Sequence, residues 1–365
     1  MLRPKPNIDR LVPTTHGGIN HLELEKLGIP AEEVLDFSVS TNPFGPPPGT
    51  QEVLSQTPID RYPDSEATEL GQSLARKLNI ATGNLIVGSG STELIRLVAN
   101  AYLGPGDMVI IPQPTYSEYE TACCLVGAQV LKKPMLEEAN FKLNLAETAE
   151  LIWQHHPRGV FLCNPNNPTG QYSSREDIET ILSLAEDSLV VLDEAYIAFT
   201  SNIWPSVDLI DQGNLVIMRS MTKDYALAGL RLGYVVASES IISALKRVRP
   251  PWNVNSVAQA AGVFALKSDT YLETCGIKIK EAKEFLVKEL IELGLTPLPS
   301  RANFFLVKVG DAAGFRQTLL RKGILVRDCA SFGLPGYIRL AARPVDECQR
   351  LLSAIRESEV CHYDS

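Results

Sequence analysis

Residues 159–170 read Gly-Val-Phe-Leu-Cys-Asn-Pro-Asn-Asn-Pro-Thr-Gly. An apolar run of strand length, Gly159–Leu162, breaks into the polar turn Asn164-Pro165-Asn166-Asn167-Pro168-Thr169-Gly170. The same change recurs twice downstream. Leu189–Leu192 runs into Asp193-Glu194-Ala195-Tyr196, and Leu215–Met218 runs into Ser220-Met221-Thr222-Lys223. Short apolar runs that alternate with helix-like stretches indicate βαβ units around a mostly parallel sheet. In such sheets ligands bind beyond the carboxyl ends of the strands. Three polar segments far apart in the chain are therefore expected to meet at one site.

The pattern extends outward from this centre. Upstream lie a helix pattern over Glu66–Asn79, a short apolar segment Leu85–Val87 and a further strand-like run, Met108–Ile111. Between them stands Gly88-Ser89-Gly90-Ser91-Thr92, followed by Leu94, Leu97, Val98 and Ala101 at helical spacing. Free backbone N–H groups at the start of that helix suit an anion. The segment has no P-loop lysine, and Glu93 occupies the place of the third glycine of G-x-G-x-x-G. Downstream, Leu230–Ala237 follows Lys223 too closely for a crossover helix, which predicts an antiparallel strand. After Pro250-Pro251 come a long helix through Leu286, Leu290 and Leu293, strands at Phe304–Val309, Ile324–Val326 and Tyr337–Ala341, and helices near Ala313–Arg321 and from Val345. That is the pattern of a smaller α+β domain.

Composition restricts function without specifying it. The 365 residues are 45% hydrophobic and 21% charged, which suits a soluble enzyme of about two domains. With 34 Lys and Arg against 43 Asp and Glu, the net charge is −9. Such a balance argues against nucleic-acid binding, which needs a basic face. A few cations focused in a cleft still suit a small anion. The seven cysteines include no C-x-x-C pair. Reduced thiols, a cytoplasmic location and no metal site are expected. The start, Met1–Pro13, has three prolines and no apolar core, so no signal peptide is expected. No run reaches the roughly 18 apolar residues of a membrane span.

Asn164–Gly170, Asp193–Tyr196, Ser220–Lys223 and Gly229-Leu230-Arg231-Leu232-Gly233-Tyr234 together resemble the pyridoxal-phosphate enzymes of the aspartate-aminotransferase fold, over nearly the whole chain. The fold so implied is α/β. Its large domain has a mostly parallel, seven-stranded type of sheet with helices on both faces. The divisions are an N-terminal arm belonging to the small domain (1–45), a large cofactor-binding domain (46–250) and a small C-terminal domain (251–365). The implied cofactor is pyridoxal 5'-phosphate. The implied catalytic residues are Lys223, Asp193 and Tyr196. Lys223 supplies the amine that condenses with the cofactor aldehyde. Asp193 keeps the pyridine nitrogen protonated. Tyr196 and Asn167 bond the ring oxygen, and Tyr116 stacks on the ring. Gly90, Ser91, Thr92, Ser220, Thr222 and Arg231 take the cofactor phosphate. Tyr62 reaches the phosphate in a neighbouring subunit, which implies a homodimer with shared active sites.

The resemblance extends to substrate, a small phosphorylated amino acid. Arg339 matches the clamp for an α-carboxylate, and Arg327 matches an arginine that meets substrate in the phosphate-recognising branches. Two branches fit. His16-Gly17-Gly18, Asp36-Phe37-Ser38 before Asn42-Pro43, Pro251-Trp252-Asn253-Val254-Asn255 and Arg327-Asp328-Cys329-Ala330 look like the threonine-phosphate decarboxylases. That branch makes (R)-1-amino-2-propanol phosphate from L-threonine O-3-phosphate in cobalamin biosynthesis, and His16 and Gly17 would contact its substrate. Ser40 stands where that branch carries Asn, so one substrate contact changes. The alternative is the histidinol-phosphate aminotransferases of histidine biosynthesis, or another class I or II aminotransferase.

Overall fold

The computed structural model describes residues 2–9, 11 and 13–358. Its main sheet has seven strands. In spatial order they are Leu85–Gly88, Gly233–Ala237, Leu215–Ser220, Leu189–Asp193, Gly159–Cys163, Met108–Gln113 and Gln129–Pro134. Gly233–Ala237 runs antiparallel to both neighbours, as its short connection to Lys223 predicts. The remaining pairings are parallel.

Both faces of this sheet are covered, which is why its strands read as continuous apolar runs rather than alternating ones. Val190 and Leu192 pack into one core with Ile178, Ile181 and Leu215. Leu189 and Val191 point the other way, into a core with Leu94, Val98 and Tyr119. The edge strand Gln129–Pro134 escapes the sequence reading because it is only half buried and carries Lys132 and Lys133. Lysines on an edge strand discourage pairing with another chain.

The second sheet is antiparallel: Arg327–Cys329, Leu334–Ala341, Phe304–Lys308 and Thr296–Pro297. Helices Ala312–Leu320 and Val345–Arg356 pack on it through Phe315, Leu319, Leu351 and Leu352. The expected strand Ile324–Val326 is divided. Ile324–Leu325 pairs in parallel with Leu35–Asp36, and Arg327–Cys329 joins the antiparallel sheet. The chain before residue 45 is thus fastened to the small domain by backbone hydrogen bonds.

The expected boundary at residue 250 needs correction. Val254, Ala258, Ala261 and Ala265 belong to the same core as Leu70, Val190 and Ile217. Helix Ser256–Ala265 presents alanines and Gly262 to its neighbours, so it lies close against helix Thr68–Leu78. A Cβ on Gly262 would come within 2.7 Å of Leu232. Only the later part of helix Asp269–Glu292, through Leu286 and Leu290, enters the small-domain core.

One backbone contact connects the sheet to the polar strand ends. A Cβ on Gly233 would sit 2.9 Å from the Arg219 carbonyl oxygen and 3.2 Å from the Ser91 amide nitrogen. These atoms are backbone and cannot turn aside. Gly233→Ala is expected to cost about 1–3 kcal/mol in a denaturant titration. It should also displace the Gly90–Thr92 turn.

Candidate active site

The three polar segments converge. Cys163 pairs with Asp193 and Asp193 with Met218, so two neighbouring strands end level and the third runs two residues further, to Ser220. Around these ends lies an open cavity of about 890 Å³, and beneath it a recess of about 80 Å³. Thr92, Tyr116, Asn167, Tyr196, Lys223 and Arg231 line both.

The recess holds Asp193, Ser91, Ser220 and Thr222. Asp193 is 2% exposed. Its Oδ2 accepts a hydrogen bond from the Tyr119 hydroxyl at 2.7 Å, and its Oδ1 accepts from the Ala195 amide at 2.9 Å. Burial raises its pKa, and those two donors oppose the rise. Lys223 sits on the single turn Met221–Asp224 that ends its strand, with Nζ 5.8 Å from the centre of the Tyr196 ring. Burial, then Arg339 and Arg231, lower its pKa to about 8, against the pull of Asp193. Burial likewise pushes up the hydroxyls of Tyr116 and Tyr196. Tyr116 OH lies 3.3 Å from Thr92 Oγ1.

Helix Gly90–Tyr102 opens at the same place. Gly90 has φ 78°, and a Cβ there would reach within 2.8 Å of an Arg231 guanidinium nitrogen. The bare backbone therefore lets the first amides of the helix and Arg231 share one position. A helix start with an adjacent guanidinium fits a phosphate.

Arg327 and Arg339 stand directly opposite each other on paired strands. Both are 5% exposed. Like charges so placed repel, and burial followed by Arg339 lowers the Arg327 pKa. Arg339 donates from Nη1 to Asn167 Oδ1 and from Nη2 to the Ser38 carbonyl, the latter at 2.7 Å. Its Nε and the Ser40 hydroxyl are buried without a partner among the described residues. A ligand bringing acceptor oxygens would satisfy such groups, because an unmet buried donor is costly.

Of the other expected residues, His16 and Gly17 line the larger cavity with Ser40. Tyr62 does not. It is 77% exposed and stacks on Trp252 at 4.4 Å, away from both cavities. Cys163 and Cys329 have thiol pKa values raised by burial, Cys329 to about 12, so neither is a poised nucleophile. The sequence reading missed Tyr119 and Glu118. Tyr119 supports Asp193, and Glu118 is a buried carboxylate on the cavity wall. Their only signal was nearness to Tyr116 in sequence.

The chain matches the family Aminotransferase class I and II over residues 32–355, and so belongs to it. It is 37% identical over 340 residues to a histidinol-phosphate aminotransferase from Moorella thermoacetica, covering 91% of this chain and 86% of that one. A histidinol-phosphate aminotransferase from Sinorhizobium meliloti, solved in complex with pyridoxal-5'-phosphate, superimposes with TM-score 0.87 at 26% identity. That match covers 99% of this chain and 98% of the other. The L-threonine-O-3-phosphate decarboxylase from Porphyromonas gingivalis superimposes with TM-score 0.78 at 27% identity, over 88% and 98% of the two chains.

The lowered Lys223 pKa predicts reactivity. The neutral amine becomes available as pH rises through about 8 rather than near the ordinary lysine value. Reductive alkylation of Lys223 by an aldehyde, followed by peptide mass, should show that midpoint. Arg339→Met removes a like charge and should move it upward.

Proposed function

We propose that this site holds pyridoxal 5'-phosphate and that the enzyme acts on a small phosphorylated amine. The observation that carries the reading is the buried Lys223 amine in a recess shared with Asp193 and the start of helix Gly90–Tyr102. When bound, the cofactor supplies an aldehyde that condenses with amines and a ring that accepts the electron pair released at Cα. The residues divide the remaining work. The Gly90–Thr92 amides and Arg231 hold the phosphate, with the Ser220 and Thr222 hydroxyls beside them. Asp193 keeps a proton at the ring nitrogen, and Tyr119 keeps Asp193 in place. Tyr116, which lines both cavities, would lie against the ring. Asn167 gives its carbonyl to Arg339, which leaves its amide hydrogens, with the Tyr196 hydroxyl, for the ring oxygen. The Lys223 amine, lowered toward neutrality by burial, would be the group that takes and returns a proton at Cα.

The reaction we favour is transamination with histidinol phosphate as amino donor, which the relatives' names support. Arg327 and Arg339 suit it. One substrate brings a phosphate, and the keto acid of the second half-reaction brings carboxylates. A second reading is decarboxylation of threonine phosphate, whose phosphate and carboxylate would engage both guanidinium groups at once. His16 and Gly17 at the cavity favour it, as does one solved neighbour. The comparisons therefore reverse the order of the two readings drawn from local motifs. The two readings differ in which bond at Cα would break, the C–H bond or the bond to the carboxylate, and in which of Arg327 and Arg339 would hold the carboxylate. We also propose a homodimer. The stacked, exposed pair Tyr62 and Trp252 is apolar surface that a second copy would cover.

Two assays on the pure holoenzyme test this. Histidinol phosphate with 2-oxoglutarate should yield glutamate. O-Phospho-L-threonine should yield no carbon dioxide; carbon dioxide with aminopropanol phosphate would select the second reading. Lys223→Ala should lose the visible absorbance of covalently bound cofactor and at least about a thousandfold in rate in whichever assay is active. Persistence of that band would refute the cofactor assignment.

A further inference from the structure

Asn7 and residues 14–18 fasten to both halves of the molecule. On the large-domain side Asn7 donates to the Cys124 and Leu125 carbonyls, both at 2.9 Å, at the end of helix Glu118–Leu125. At the start of that helix, Glu118 Oε1 accepts from the Thr14 hydroxyl at 2.8 Å and lies 3.3 Å from His16 Nε2. On the small-domain side Arg327 Nη2 donates to the Thr15 carbonyl at 2.6 Å, and the Gly18 amide donates to Ser38 Oγ at 2.8 Å. Gly17 lies so close to Ser38 that a Cβ would stand 2.7 Å from its carbonyl oxygen. Residues 14–17 thereby form part of the cavity wall.

Glu118 shares with Glu93 a wall that is otherwise rich in cations, Arg96, Lys223, Arg231, Arg327 and Arg339. Glu118 is 4% exposed, and a buried carboxylate needs partners. Those partners are Thr14, His16 and, through Oε2 at 3.4 Å, Arg96. The hydrogen-bond network also orients the imidazole. Because the Thr14 hydroxyl donates to Glu118, its oxygen accepts from His16 Nε2–H at 3.0 Å. Nδ1 of the neutral ring then carries a lone pair and accepts rather than donates, so the anion's donors come from the guanidinium groups.

We propose that Glu118 is a positioning residue that latches the strap of residues 14–18 to the cavity wall and so shapes the place where Arg327 meets the substrate's anionic group. This rests on the phosphorylated-substrate reading above. Arg327 gives the latch its consequence. Its Nη2 holds the strap and Ser331, while its Nε has no partner among the described residues. Strap and anion therefore bind the same guanidinium from different edges. Coupling of this kind is reciprocal: an anion tightens the strap, and a loosened strap weakens the anion.

The test uses the holoenzyme, with Glu118→Ala and Glu118→Gln beside the unsubstituted protein. Hydrogen–deuterium exchange reads residues 14–18, and calorimetry reads inorganic phosphate as the probe. An unchanged cofactor absorbance confirms that each variant is folded. Phosphate should slow strap exchange in the unsubstituted enzyme. Glu118→Ala should speed it and weaken phosphate binding, each about tenfold. Glu118→Gln keeps an acceptor for Thr14 and should change both by less. Unchanged strap exchange in Glu118→Ala overturns the latch. Faster exchange with unchanged phosphate affinity overturns the coupling. An unsubstituted enzyme that binds no phosphate overturns the substrate reading, and the exchange measurement then still judges the latch.

Discussion

The amine of Lys223 and the carboxylate of Asp193 are both taken out of water at the carboxyl end of one sheet, and much of the structure serves to make that possible. Burying either group alone would drive it to its neutral form. Each offsets the other, and Tyr119 and the Ala195 amide hold Asp193 in place. The two reach one recess because they follow adjacent parallel strands, the second two residues longer, and because the chain turns directly from strand to single-turn helix at Ser220.

Around that pair the cavity is strongly cationic although the chain is net acidic. Arg231 depends on an absent side chain at Gly90, and Arg327 faces Arg339 across one strand pair. Left to themselves, these charges repel. The orphaned Arg339 Nε and Ser40 hydroxyl add to the same imbalance. A cavity in this condition is built for ligands rich in oxygen and negative charge. Net charge, which speaks against macromolecular polyanions, says nothing about such a local arrangement.

The N-terminal residues show how the two domains are made to cooperate. Leu35–Asp36 joins the small domain by a two-residue parallel pairing, while Asn7 and Thr14 hold the large domain. Ser38 is the turning point. Its hydroxyl accepts from Gly18, its carbonyl accepts from Arg339, and Asp36 holds it from behind. The cavity wall and the domain connection are thus the same short piece of chain.

The sequence alone determined the sheet, its central strands and the meeting of Asn167, Asp193 and Lys223. Burial on both faces forces unbroken apolar runs, and polar residues can follow only where a strand ends. It also gave the antiparallel course of Gly233–Ala237, because the connection is too short for a crossover. Where local pattern carried no signal, tertiary packing decided. Gln129–Pro134 is an edge strand with a polar face, and helix Ser256–Ala265 joins the large domain only because its small residues fit against Leu70 and Leu232. The support of Asp193 by Tyr119, 74 positions away, and of the N-terminal strap by Glu118, 104 positions from Thr14, had no local pattern to announce it. Such long-range hydrogen bonds depend on which buried groups remain to be satisfied after the backbone has folded, and only the assembled structure sets that.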